Sequence, residues 1–96
     1  MYAKIHETIN SSVLALADKE LIGKTLNEKE IEFKVSERFY KGRIVDEKKA
    51  VKLLKEHDNA NLIGNKAVGI ALKNGLIEKN NVIVIEGIKH AQIYLL

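Results

Sequence analysis

From Tyr2 to Glu7 apolar and polar residues alternate, with Ala3 and Ile5 on one side and Lys4 and His6 on the other, the period of a half-buried strand. Asn10, Ser11 and Ser12 supply turn chemistry, and the denser apolar run Val13 to Ala17 returns as the second arm of a hairpin. Asp18 stands where it would cap a single helical turn, Lys19 to Ile22, that Gly23 stops. The clearest alternation follows between Glu28 and Ser36, where Ile31, Phe33 and Val35 face one way, a strand with one wet face. Asp46 opens a helix that runs to about His57, with Ala50, Val51, Leu53 and Leu54 as its buried stripe.

Between Asn65 and Asn74, Ala67, Val68, Ile70, Ala71 and Leu72 are too many apolar residues for a one-sided stripe. This helix is expected to be covered on most of its circumference and to form the centre of the fold. Asn61 or Asn65 is expected to cap its start, and Gly75 suits the left-handed residue at its end. Gly69, inside it, costs about 1 kcal/mol relative to alanine and is expected to admit a neighbouring backbone. Val82 to Ile85, a turn at Glu86-Gly87, and a strand from His90 to Leu96 around Ala91, Ile93 and Leu95 make a second hairpin. The pattern predicts one α+β domain over residues 1–96, a largely antiparallel sheet of about five strands (two hairpins plus a middle strand) with two helices packed on one face.

Composition narrows the function classes. Ninety-six residues, 46% of them apolar, suffice for one core. The absence of cysteine excludes disulfides, thiolate catalysis and thiolate-ligated metals. The longest apolar run, Val13 to Ala17, is too short to span a bilayer, so a cytoplasmic protein without a membrane partner is expected. A charged fraction of 30% without proline leans toward a heat-loving source, and the net charge of +3 permits an anionic partner such as RNA.

Arg38, Phe39, Tyr40, Lys41 and Arg43 interleave aromatics and cations around Gly42, a glycine able to take an unusual backbone angle. Lys48, Lys52 and Lys55 line one face of the helix that follows. Stacking on an aromatic ring combined with phosphate contacts is how single-stranded RNA is held. The same residues also fit a bland arrangement, with Phe39 in the core, Tyr40 at its rim and the cations as ordinary solvated side chains. Gly23-Lys24-Thr25 resembles the end of a phosphate-binding loop, but the loop's first glycine falls on Asp18, whose carboxylate would repel phosphate. The entry Leu62-Ile63-Gly64-Asn65 leaves free N–H groups beside a glycine, suited to an anion or to self-capping. His6, His57 and His90 lack metal-ligand spacing, though His6 and His90 would meet if the first and last strands were neighbours, forming a polar cluster with Gln92. No catalytic residue, metal ligand or cofactor is assigned.

Tyr2-Ala3-Lys4-Ile5-His6, Leu21-Ile22-Gly23-Lys24-Thr25-Leu26, Val35-Ser36-Glu37-Arg38-Phe39-Tyr40 with Gly42, Ala60-Asn61-Leu62-Ile63-Gly64, Gly75-Leu76-Ile77, and Gly87 with His90-Ala91-Gln92 together resemble the small archaeal proteins catalogued as domain of unknown function 424. The resemblance spans essentially the whole chain; where that family has a proline before the histidine, this chain has Lys89. It implies an archaeal cytoplasmic α+β protein and supplies no reaction.

The first expectation is a non-catalytic module for RNA or a ribonucleoprotein, associated with translation, with Arg38, Lys41, Arg43, Lys48, Lys52 and Lys55 on phosphates and Tyr40 stacking. The alternative is a small-molecule-binding protein or enzyme whose cleft gathers His6, Asn61, Gly64, His90 and Gln92. A third is an assembly partner joined through an exposed strand edge. The sequence assigns no oligomeric state.

Overall fold

A computed structural model describes residues 1–94. The N-terminal alternation forms β1 (Tyr2–Glu7), antiparallel to β2 (Ser12–Ala17), so the first hairpin is where the sequence puts it. A 3-10 turn, Lys19–Leu21, leads to a two-stranded ribbon, β3 (Thr25–Glu28) with β4 (Ile31–Lys34). One helical turn, α1 (Glu37–Tyr40), is capped by the Ser36 hydroxyl, which accepts from the Phe39 amide, and the short β5 (Arg43–Ile44) follows. Next come α2 (Glu47–Glu56), β6 (Ala60–Ile63) and α3 (Asn65–Lys73), then β7 (Val82–Ile85) and β8 (Ile88–Ile93) as the closing hairpin. Leu95, expected in that last strand, lies outside the described residues.

The α+β class holds, but the sheet differs from the expected one. It has six strands in the order β5-β1-β2-β6-β8-β7, and β6 runs parallel to β2. The middle strand expected between Glu28 and Ser36 belongs instead to the separate ribbon. β6 takes the centre of the sheet, because its flanking β2 and β8 bury Leu62 and Ile63 completely on opposite faces.

Strand alternation divides the core in two. Leu14 and Leu16 of β2, Leu62 of β6 and Ala91 of β8 pack with α2 and α3, placing both helices on one face as the sequence predicts. Ala15, Ala17, Ile63 and Ile85 point the other way, onto Leu26, Val35 and Tyr40 from the ribbon and α1. The second face is thus covered over part of its area. Glu86 at the closing turn ties the ribbon down: its carboxylate accepts from the Asn27 amide, and its own amide donates to the Glu28 carboxylate. Glu86 and Gly87 both have positive φ, 50° and 76°, the backbone of a tight hairpin turn.

The helix Asn65–Lys73 is enclosed on most sides, with Ala67, Val68, Ile70 and Ala71 buried. Gly75 ends it at φ +68°. Neither asparagine caps its start: Asn61 lies within β6, and Asn65 turns its side chain to the backbone of Gly87 and Lys89. The cap is Asp18, whose carboxylate accepts from the amides of Lys66 at 3.0 Å and Ala67 at 2.8 Å. Asp18 makes no side-chain cap on the turn directly after it, where the sequence places that role.

Gly69 does not admit a neighbouring backbone; a methyl group there meets nothing within 4 Å. Gly69→Ala is therefore expected to stabilise the protein by about 0.5–1 kcal/mol, read as a rise in urea midpoint at unchanged slope. A destabilised variant would show that the helix needs the bare backbone. At Gly42, by contrast, a Cβ would lie 2.2 Å from the Ala3 carbonyl oxygen, so this glycine serves close passage along β1 and not an unusual φ.

Candidate functional site

Where the ribbon stops, the second face of the sheet stays open. On it β1 presents His6, β6 presents Asn61 and β8 presents Gln92, the last two directly paired across the strands. With Phe39 from α1 and Tyr94 they line a cavity of about 270 Å³.

The hydrogen bonds around this cavity fix which polar atoms remain. The Tyr40 hydroxyl donates to Asn61 Oδ1, and the Tyr94 hydroxyl donates to Gln92 Oε1 at 2.6 Å. Each amide thereby keeps its NH₂ group as a donor. His6 Nε2 donates to the Phe39 carbonyl at 2.8 Å, which leaves Nδ1 as the ring's other polar atom. The His6 and Phe39 rings stack at 4.5 Å and 11°, and Phe39 meets Tyr40 edge-on at 4.8 Å. The result is a cavity of mostly apolar lining with an aromatic wall, bordered by two amides and an imidazole. None of the lining residues is a carboxylate, a serine or a thiol, so the cavity has recognition groups and no activated nucleophile.

His90 is not part of this cluster. β2 and β6 separate β1 from β8, so His6 and His90 are not on neighbouring strands, and His90 pairs with Ile63, level with Ala17 and away from the end of β2 that His6 faces. His90 borders a second hollow with Gln92 and Tyr94, its ring tilted 54° against Phe33 at 4.6 Å, and its Nδ1 donates to the Leu62 carbonyl. Burial holds its pKa below the ordinary imidazole value of 6.5, outweighing the Leu62 hydrogen bond. The unfolded chain then takes up this proton at higher pH than the folded one. Stabilisation by the neutral ring is complete above pH 6.5 and is lost as pH falls toward the lower folded value. The urea midpoint is expected to drop on acidification through that window and to drop less in His90→Gln; equal drops would place the titrating group elsewhere.

Gly64 does not offer an anion site either. The amides after it are taken by Asp18, and its own N–H donates to Lys89. His57 closes α2 with its Nδ1 on the Leu53 carbonyl, and no group of three or more metal-ligating side chains forms among the described residues.

The predicted cationic set is divided. Tyr40 is buried, and burial pushes its phenol pKa far above the usual value, so its ring is a core element and cannot receive a base. Arg38 is exposed on α1; the Lys4 ammonium donates to its carbonyl at 2.6 Å, which puts two cations on the α1 side of the open face. Lys41 pairs with Glu37 at 3.6 Å, and Arg43 lies at the sheet edge on β5. Lys48, Lys52 and Lys55 are exposed on α2, in the layer across the sheet. The sequence missed Phe39 and Tyr94 as walls of a site; the run of aromatics around Arg38 was the available signal for the first.

The family described as "Protein of unknown function (DUF424)" matches residues 6–96. No curated protein matches the chain. Among solved structures, an uncharacterized conserved protein from Methanopyrus kandleri shares the fold with a TM-score of 0.83 at 29% identity, over 99% of this chain and 90% of that one. Among the described residues no helix is long and apolar enough to cross a membrane.

Proposed function

We propose a function from the site itself, since the chain belongs to the DUF424 family, whose description is that of a protein of unknown function. It is a non-catalytic module that takes an unstacked base of single-stranded RNA on the open sheet face. The supporting observation is the meeting of His6, Phe39, Asn61, Gln92 and Tyr94 around one cavity. Two amides and an imidazole match the mixed edge of a nucleobase, and aromatic walls favour a planar, uncharged ring. Arg38 and Lys4 stand where the flanking phosphates would pass, while the α2 lysines across the sheet have no part in this reading.

The test is fluorescence anisotropy with labelled single-stranded RNA of each base composition at low and raised salt. Binding is expected to weaken with salt, Gln92→Ala to weaken it by roughly tenfold for the preferred base, and Arg38→Ala to weaken all sequences alike while lowering the salt slope by roughly one. Absence of binding at low salt removes the reading. Binding of free nucleosides but not RNA converts the site to a small-molecule one.

A further inference from the structure

The opposite face holds a further hollow that this function does not use, a groove of about 360 Å³ between α2 and the outer edge of the sheet. Its apolar lining is Ile5, Val45 and Leu53, and Ile5 is 43% exposed despite lying on the helix-covered side of β1. Arg43 and Lys49 also line it and no carboxylate does; Lys4 borders it as well, but its ammonium is turned to the Arg38 carbonyl on the other face. Among the described residues the ion pairs are Lys41 with Glu37 and Lys73 with Glu47, so Arg43 and Lys49 have no ionic partner. The groove is therefore apolar at its floor and uniformly positive at its rim.

Beside it the sheet is unfinished. β5 pairs with β1 only at Tyr2 and Ala3. Among the described residues no strand flanks β1 from Lys4 to Glu7 on that side. The Val45 amide donates to the Met1 carbonyl, so the alternation of an antiparallel ladder turns the N–H and C=O groups of Ile5 outward as well. We propose that this edge and groove together dock an extended segment of a partner protein, an aliphatic side chain flanked by Asp or Glu. Its backbone continues along β1 in line with β5, every second side chain faces the helix layer, and one of these fills the groove beneath the cations. A fatty acid would satisfy the groove but leave the edge groups unpaired, and an RNA strand would satisfy the cations but not the apolar floor; a peptide meets all three.

The test is selection of short random peptides displayed against the full chain, with counterselection on the double variant Arg43→Glu, Lys49→Glu. Both positions are exposed, and an unchanged circular dichroism spectrum confirms that the variant folds. The expected result is enrichment of acid-flanked aliphatic sequences that bind at least tenfold more weakly to the double variant and to Ile5→Lys, with amide shifts at Ile5, Arg43 and Lys49. Failure to enrich over counterselection overturns the proposal, as do enriched peptides without acids, or shifts confined to the Phe39 and Gln92 face. Decanoate binding in the groove where peptides do not, or self-association of the chain through this edge in sedimentation, overturns it equally. Loss of RNA binding leaves these readouts untouched, because the two sites lie on opposite faces.

Discussion

Gly64→Ala is expected to destabilise the protein by roughly 3 kcal/mol or more, enough to unfold much of it in moderate urea. Two independent reasons converge on this position. Its backbone stands at φ 121° and ψ 146°, a region essentially closed to residues with a side chain. Even if the backbone allowed it, the new methyl carbon would sit 2.2 Å from Asp18 Cγ. The obstructing atoms belong to a buried carboxylate held at both oxygens, so they have no free path of retreat. A variant with a native-like urea midpoint would mean that the junction between β6 and α3 is far more plastic than its contacts imply.

Asp18→Ala is expected to cost about 2–3 kcal/mol. A charged acceptor bound to two backbone donors of a helix start contributes more than a neutral surface cap, and its loss strands the Ala67 amide in the core. Asp18→Asn keeps one acceptor and the shape, and is expected to lose about half as much. Hydrogen exchange supplies the sharper check. Protection should fall first at Lys66 and Ala67 in the alanine variant, while the β1–β2 hairpin stays protected. Equal loss across both elements would show that Asp18 acts on global stability without a particular role in seating α3.

This link also explains how the sequence misled about α3. A cap is normally sought within the few residues before a helix, and Asn61 and Asn65 satisfied that search. The actual cap comes 48 residues earlier, from the end of β2. Parallel pairing of β2 with β6 brings Ala17 level with Ile63, so Asp18 arrives opposite the helix start. The pairing was itself hidden, because Asn59-Ala60-Asn61 has the composition of a turn and β6 shows its strand character only through burial of Leu62 and Ile63. β3 was missed for a similar reason, since Thr25 to Glu28 contains one apolar residue, Leu26.

The candidate site was legible in pieces. His6 and Gln92 stood out as polar residues on the first and last strands and Asn61 as a candidate helix cap, and the strand pairing brought these three together. It left out His90, which pairs with Ile63 level with Ala17, at the other end of β2 from the Val13 that His6 faces, and Gly64, which Asp18 crowds. Tyr40 and Phe39 exchanged the roles their neighbourhood suggested: adjacent on a single helical turn, they point in different directions, one into the core and the other to the cavity.

Periodicity and turn chemistry in the sequence determined the first and last hairpins, both long helices, the face that α2 buries and the left-handed end of α3, because each depends on residues within about four positions of one another. Only the tertiary structure decided the six-strand order, the parallel step at its centre, the covering of the second face by the ribbon, and the set of side chains that share a cavity. Those depend on pairings between segments tens of residues apart, where burial of a whole face outweighs the preference of any short stretch.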